Sequence, residues 1–102
     1  LFGGNGSDTL DGGEGNDRLM GDAGPDTFVF APGSGSDLVT DFELGLDLLD
    51  LTGFGFADFA TVQAVSAQQG NSTVIDLDMT GGDNVTLAQI DLTDLTQDSF
   101  LL

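Results

Sequence analysis

Residues 3–30 decide the fold, and they read GGNGSDTLDGGEGNDRLMGDAGPDTFVF. Set out in nines they give the units GGNGSDTLD, GGEGNDRLM and GDAGPDTFV, each with glycine at its first and fourth positions. The sixth position is always an aspartate: Asp8, Asp17 and Asp26. The eighth position is always apolar: Leu10, Leu19 and Phe28. A fixed period of this kind predicts a repeat architecture in which each unit stacks on its neighbours.

A fourth unit follows these three with a slip in its spacing. Residues 32–40, PGSGSDLVT, carry Gly33 and Gly35 at the second and fourth positions and Asp37 at the sixth, after two extra residues, Phe30 and Ala31. The insertion predicts a bulge or a wider turn at the point where the array ends.

Each unit has room for one tight turn and one very short strand. Glycines permit the positive backbone angles that a tight turn requires, and the apolar eighth position can face a core. Two units then make one coil of a solenoid, so that alternate units stack on the same edge. We therefore expect Asp8 to lie above Asp26 on one edge, and Asp17 to lie near Asp37 on the other.

The charge of the chain indicates what these aspartates bind. The sequence has eighteen acidic residues against one arginine (Arg18), no lysine, histidine or cysteine, and a formal net charge of −17. Stacked carboxylates repel one another unless a cation lies between them. A donor set made only of oxygen excludes an ordinary zinc or copper site, and irregular oxygens suit calcium better than magnesium. The repeats therefore predict a calcium-stapled coil.

Composition also excludes several classes of function. The negative charge argues against a nucleic-acid partner and against docking on an anionic membrane, and no apolar run is long enough for membrane insertion. Without histidine, cysteine or lysine there is no ordinary nucleophile–base pair, so we expect the chain to be non-catalytic. A general solubility device remains as an alternative reading of the acidity, but periodic acids favour a bound ion.

The sequence changes character after the repeats. Residues 57–69 have a helical spacing of apolar side chains, and Gly70 with Asn71 makes a stop. Residues 72–79 alternate as a half-buried strand does. The face that this strand would bury carries Ile75, Leu77 and Met79.

A hairpin is expected next. Gly81, Gly82 and Asp83 supply a turn, and residues 84–90, NVTLAQI, return as the second arm. The tail, residues 90–102, spaces its apolar side chains as a short turn or helix docking on that hairpin would.

The repeats resemble a known family. GGNGSDTLD and GGEGNDRLM match the GGxGxDxUx nonapeptide of RTX (repeats-in-toxin) proteins at every defined position. The third unit departs from it, with Asp22 in place of the second glycine and Pro25 at the fifth position. The resemblance implies an all-β fold, a right-handed parallel β-roll in which calcium lies between turns of the same edge.

The resemblance also implies ligands, namely aspartate carboxylates and backbone carbonyls of the glycine-rich turns, for about two to three Ca²⁺ ions. One site would take its ligands from six residues: Asp8, Asp26, Gly4, Gly6, Gly21 and Ala23. A second would use four: Asp17, Asp37, Gly13 and Gly15. Asp41 is either a further ligand at the cap or a solvated acid on the strand edge.

The remainder of the chain resembles the end of RTX exoproteins such as serralysin-type metalloproteases. Residues 1–41 are expected to form the calcium-binding roll. Residues 42–102 are expected to be a capping and secretion-signal segment, a β-hairpin or sandwich-like part with a short helix, continuous with the roll as one folding unit. The last five residues, 98–102, fit the acid-then-apolar ending common in proteins exported by type I secretion.

These features predict a module of a larger secreted bacterial protein that folds on extracellular calcium. Its expected partners are calcium, an upstream domain of the same chain and, through the C-terminus, the type I secretion apparatus. A calcium-rigidified spacer or adhesive segment of a bacterial surface protein is the alternative. A third reading, a surface that binds a polyanionic sugar, conflicts with the negative charge of the chain.

Overall fold

The computed structural model describes residues 2–77 and 82–102, and its strands form two sheets. The first sheet contains β1 (Thr9–Asp11), β3 (Thr27–Val29), β5 (Leu48–Asp50) and β9 (Phe100–Leu101), in that order. The second contains β2 (Arg18–Leu19), β4 (Ser36–Val39), β8 (Asn84–Leu87), β7 (Ser72–Asp76) and β6 (Ser66–Gln69). One α-helix, α1 (Phe59–Ala64), and three single 3-10 turns, at Thr52–Phe54, Leu92–Asp94 and Gln97–Ser99, complete the described elements.

Alternate repeat units stack in parallel, as the sequence predicts. Leu10 of β1 lies opposite Phe28 of β3, and Leu19 of β2 lies opposite Val39 of β4. Successive units therefore fall on opposite sheets, and the chain forms a parallel β-roll. The predicted all-β class is confirmed.

The core is a column of side chains from the middle of each strand. In the first sheet Leu10, Phe28, Leu49 and Phe100 lie in register, and all four are buried. They join one hydrophobic cluster with the buried residues of the second sheet, among them Leu87. Full burial of a side chain such as Phe28 stabilises the fold by about 2–3 kcal/mol, so the apolar eighth position supplies the core.

The two inserted residues are absorbed in a turn without loss of register. Phe30 extends β3, where its N–H donates to the carbonyl of Asp50, and its ring is buried. The chain then turns tightly, with the N–H of Ser34 donating to the carbonyl of Ala31 at 3.0 Å. The predicted wider turn is present. The stack does not end there, however, because β5 and β8 continue both sheets.

The predicted hairpin is formed by β7 and β8, which pair antiparallel with Ile75 opposite Val85. Ile75 and Leu77 are buried, as expected. Met79 and the residues around it, 78–81, lie outside the described part of the chain, as does Leu1.

The predicted helix over 57–69 is too long. The α-helix has six residues, Phe59–Ala64. Its N-cap is Asp58, whose carboxylate accepts a hydrogen bond from the N–H of Thr61. Residues Ser66–Gln69 instead form β6, which pairs antiparallel with β7 across the two-residue loop Gly70–Asn71. Gly70 has a φ of 60°, which such a hairpin loop requires. The pairing available to β6 overrides its helical spacing.

The tail contacts both the hairpin and the roll. The hydroxyl of Thr73 donates to the carbonyl of Ile90, and the N–H of Leu92 donates to the side chain of Gln68. The expected docking on the hairpin is therefore present, but the tail also continues to β9, which adds to β5 of the first sheet. No helix in the described residues is long and apolar enough to cross a membrane.

Candidate metal centre

Aspartates stack along both edges of the roll and are linked by hydrogen bonds between coils. On the first edge the N–H of Asp8 donates to Oδ1 of Asp26 at 3.0 Å, and the N–H of Asp26 donates to Oδ1 of Asp47 at 2.8 Å. On the second edge the N–H of Asp17 donates to Oδ1 of Asp37 at 2.9 Å. The two aspartate pairs predicted from the repeat are thus brought together.

The other carboxylate oxygen of three of these residues has no partner. Oδ2 of Asp8, Asp17 and Asp26 is buried and accepts no hydrogen bond from the described part of the chain. A buried, unpaired anionic oxygen is strongly unfavourable, so it requires a compensating positive charge. These orphaned oxygens fit a cation between the coils, and they belong to residues that the sequence assigned to metal binding.

The first glycine of each unit makes room for this oxygen. A Cβ atom added at Gly3 would lie 2.9 Å from Oδ2 of Asp8, and one at Gly12 would lie 2.6 Å from Oδ2 of Asp17. Gly21 has the same contact with Asp26. The opening glycine is therefore required by the carboxylate of its own unit.

Backbone carbonyl oxygens of these turns lie close to the adjacent turn on the same edge. A Cβ atom at Gly24 would lie 2.7 Å from the carbonyl oxygen of Gly6, and one at Gly35 would lie 2.7 Å from that of Gly15. The carbonyl of Gly21 likewise lies 2.9 Å from a Cβ position at Gly3. Three of the predicted carbonyl donors, those of Gly6, Gly15 and Gly21, thus face an adjacent turn.

The other predicted carbonyl donors lie in the same turns. Gly4 and Gly13 have positive φ angles of 82° and 74°, as the tight turns require. Ala23 is exposed and lies in the third turn. Their assignment as ligands stays a prediction.

Carboxylates nearer the cap accept hydrogen bonds from backbone N–H groups. Asp41 accepts from the N–H groups of Gly21 and Asp22 at 2.9 and 2.7 Å. This contact holds the third turn in place, so Asp41 has a structural role whether or not it also binds calcium, which stays a prediction. Asp83 accepts in the same way from the N–H groups of Gly33 and Gly35 at 2.8 and 3.0 Å.

Sequence reasoning missed Asp47, the third aspartate of the first edge. Its Oδ1 accepts from Asp26 and its Oδ2 accepts from the N–H of Glu43 at 2.8 Å, so both oxygens are occupied. The signal was present in residues 42–50, FELGLDLLD, which keep glycine, aspartate and leucine at the fourth, sixth and eighth positions. The second edge has no such residue, since Val85 lies opposite Asp37.

Burial raises the pKa of the last aspartate on each edge, Asp37 on the second and Asp47 on the first. Burial, together with the nearby carboxylate of Asp17, raises the pKa of Asp37 to about 6. Burial also raises the pKa of Asp47, against the N–H groups that it accepts. A bound cation would favour the ionised forms instead.

The donor set that results is two carboxylates per edge with carbonyl oxygens between them. No group of three or more acidic side chains able to hold a metal gathers within residues 2–77 and 82–102. Oxygen-only donors of mixed origin suit a hard cation with an irregular coordination shell, which describes calcium.

Two comparisons with known proteins agree with this geometry. Residues 1–28 match the family model of the RTX calcium-binding nonapeptide repeat, in four copies. The crystal structure of the extracellular lipase LipA from Serratia marcescens matches 98% of this chain with a TM-score of 0.73 and 22% sequence identity. This chain covers 20% of the lipase chain, and at this identity the likeness concerns the fold. No curated protein sequence matches.

The resemblance to RTX proteins is confirmed by these matches. The repeats of residues 1–28 are RTX calcium-binding repeats, and the β-roll that they begin has the fold of the matched part of the lipase. The unit at residues 32–40 and the degenerate unit at 42–50 lie outside the matched range, although both continue the stack.

Proposed function

Because residues 1–28 carry RTX calcium-binding repeats, we propose that this chain is the calcium-dependent folding module of a larger secreted bacterial protein. The observation that carries the proposal is the set of buried Oδ2 atoms of Asp8, Asp17 and Asp26, which have no partner in the described chain. Calcium supplies the positive charge that those oxygens require. The roll itself performs no catalysis, and the activity of the whole protein belongs to an upstream domain.

The first site lies on the edge that carries Asp8 and Asp26. Its carboxylate ligand atoms are the two unpaired oxygens, while Oδ1 of Asp26 holds the N–H of Asp8 and so fixes the distance between coils. Carbonyl ligands come from four residues of the first and third turns: Gly4, Gly6, Gly21 and Ala23.

The second site lies on the edge that carries Asp17 and Asp37, with carbonyls from Gly13 and Gly15. It is built on the turn that contains the two-residue insertion, so its geometry differs from that of the first site. We expect two classes of calcium affinity for this reason, with two to three ions in all.

Calcium then decides whether the roll folds. In a calcium-poor cytosol the acidic coils repel and the chain stays open, which suits passage through the type I secretion apparatus, with the C-terminal residues as the signal. Extracellular modules bind calcium with affinities of about 10⁻⁴–10⁻³ M, so the sites would fill outside the cell. Binding to the folded state alone then stabilises it by mass action.

The segment 42–102 acts as the cap on which the coils of 1–41 assemble, within one folding unit. Its support is that two acids of this segment, Asp47 and Asp83, accept hydrogen bonds from backbone N–H groups, including those of the turns on which they stack, which holds them without a cation.

Circular dichroism with calcium and with chelator tests the proposal. We expect a β-sheet spectrum in millimolar calcium that collapses when calcium is removed and returns when it is restored, with magnesium a poor substitute. A spectrum that is identical in chelator and calcium would sink the switching role.

A calcium-rigidified spacer or adhesive segment of a surface protein is the second candidate. It is favoured by the parallel pairing of successive coils, with Leu10 opposite Phe28 and Leu19 opposite Val39, because a stack of this kind can be lengthened by adding coils. The two functions differ in what lies upstream, an enzyme domain in the first case and a long repeat run or adhesin domain in the second.

A further inference from the structure

Ser34 differs from the residues that occupy its position in the other repeat units. It is the third residue of its unit, where Asn5, Glu14 and Ala23 are exposed. Ser34 is only 6% exposed, and its Oγ is buried without a hydrogen-bond partner in the described chain. It is also the single non-carboxylate member of that orphaned set; the other members are the aspartate oxygens of the candidate metal centre.

The inserted residues explain why this side chain is buried. The turn closes with the N–H of Ser34 donating to the carbonyl of Ala31. The residues on either side are fixed too, since Gly33 and Gly35 both donate to the carboxylate of Asp83. These hydrogen bonds hold the backbone on both sides of the Ser34 side chain.

This turn stacks directly on the turn of the second unit. A Cβ atom at Gly35 would lie 2.7 Å from the carbonyl oxygen of Gly15, and the N–H of Ser36 donates to the side chain of Asn16 at 2.9 Å. Asp17 belongs to the same turn of the second unit, and its Oδ2 is the unpaired oxygen of this edge among the described residues. Two orphaned oxygens, one neutral and one anionic, therefore lie in two stacked turns.

A solvent-connected cavity of about 160 Å³ gives access to this place. It is lined by Gly13 of the second unit's turn and by Pro32 and Ser34 of the fourth unit's turn. The acids Asp11 and Glu14 also line it. Negative side chains at the mouth of a cleft raise the local concentration of cations. Cations would therefore be concentrated beside Ser34.

We propose that Ser34 Oγ is an oxygen ligand of the calcium ion held between these two turns. The inference rests on the proposed calcium function and adds a side-chain hydroxyl to the second site. The inserted residues disturb the repeat, and the wider turn that they form is the one that carries this hydroxyl. Calcium accepts such a donor because its shell takes six to eight irregularly placed oxygens.

The test is a calcium titration by isothermal calorimetry on the whole chain and on Ser34→Ala. We expect the substitution to weaken the apparent affinity of one class of site about tenfold, the scale of loss for a group that supports a metal. The other class should be unchanged. Ser7→Ala, the same substitution at an exposed turn residue on the other edge, should change neither class.

The sign of the change separates a ligand from an ordinary buried hydroxyl. If the hydroxyl were only an unsatisfied group, its removal would stabilise the folded state and so tighten the apparent affinity. Tighter or unchanged binding in Ser34→Ala would therefore overturn the proposal.

A double substitution tests whether Ser34 acts at the same calcium site as Asp17. In an Asp17→Asn background, where the second site is already damaged, Ser34→Ala should cause no further loss. An equal loss in both backgrounds would place the hydroxyl elsewhere and refute the assignment. If the unsubstituted chain takes up no calcium, the proposed function fails and this inference with it; intact binding with an unaffected Ser34→Ala variant overturns only the inference.

Discussion

At the scale of single residues, the same side chain has two different roles in this roll. Asp8, Asp17 and Asp26 each keep one buried oxygen that has no partner among residues 2–77 and 82–102, whereas both oxygens of Asp47 accept backbone N–H groups. The difference follows from the turn beside the carboxylate. The opening glycine of each repeat leaves space next to the aspartate, but in the degenerate unit the N–H of Glu43 fills that position. Position in the stack, rather than residue type, decides which carboxylates have both oxygens occupied by backbone N–H groups.

Asp26→Asn tests the ligand role at this scale. Asparagine keeps the acceptor for the N–H of Asp8 but removes the negative charge, so we expect calcium affinity at the first site to fall roughly tenfold to a hundredfold. The readout is calorimetric titration with calcium. Asp58→Asn is the matched control, because Asp58 is an exposed helix cap and asparagine caps equally well. Equal losses in the two variants would contradict the assignment.

Gly24→Ala tests the close approach of the coils. Gly24 has a φ of 94°, and its Cβ would lie 2.7 Å from the carbonyl oxygen of Gly6. The variant carries backbone strain of about 1–3 kcal/mol and a steric contact in addition. Gly45→Ala has a comparable φ, 83°, with open space around its Cβ, so it isolates the strain. Urea unfolding in saturating calcium should show a larger loss for Gly24→Ala, and equal losses would argue against the contact.

At the scale of elements, the ends of the two sheets are built differently. The second sheet is extended by the antiparallel strands β7 and β6, and the first is extended by β9 alone. Phe100 of β9 lies opposite Leu49, and its ring lies 5.6 Å from that of Phe59 in α1. One side chain therefore joins the tail, the helix and the first sheet.

Phe100→Ala tests this junction. Phe100 is 6% exposed, and truncation of a buried phenylalanine costs about 3–5 kcal/mol because it leaves a cavity. We expect a correspondingly lower midpoint of urea unfolding in saturating calcium. Leu102→Ala, at an exposed position, should change stability by less than about 0.5 kcal/mol. If Phe100→Ala is as harmless as this control, β9 does not support the roll.

At the scale of the whole molecule, charge opposes the fold that the apolar column favours. A formal net charge of −17 on 102 residues is a large self-repulsion, and the stacked aspartates of the two edges are part of it. Calcium lowers that repulsion at the positions where it is greatest. Acid is the other means of lowering it, because protonation removes the charge of buried carboxylates.

The calcium-free protein should therefore become more folded as the pH falls. Burial raises the pKa of Asp37 to about 6 in the folded state, so the folded state binds this proton more tightly than the unfolded chain does. The stability from this group is fully present below the unfolded pKa of 3.8 and is lost as the pH rises through about 6. Asp47 contributes in the same direction.

Metal-stripped protein measured by circular dichroism at pH 7.5 and pH 5 checks this expectation. The β-sheet signal should be higher at pH 5, and the increase should be smaller in Asp37→Asn, which has no proton to gain at that position. Greater order at pH 7.5 than at pH 5 would contradict the sign. Calcium affinity should fall over the same range, since calcium and the proton compete for one carboxylate.

The sequence alone determined the period, the pairing of the coils and the kind of ion. The nine-residue spacing requires Asp8 to stack on Asp26, as the structure has it, because two units make one coil. The absence of sulfur and imidazole restricts the donors to oxygen. These properties are local or compositional, so they can be read without knowing where the chain goes next.

Only the tertiary structure decided which acids are left unpaired and how the roll is closed. Asp41 accepts the N–H groups of Gly21 and Asp22, about twenty residues away, and no local pattern encodes that pairing. The strand β6 was mistaken for helix because the edge of β7, which decides its conformation, lies outside its own sequence. Likewise Ser34 is buried whereas the turn residue Ser7 is exposed, a difference that depends on how each turn packs.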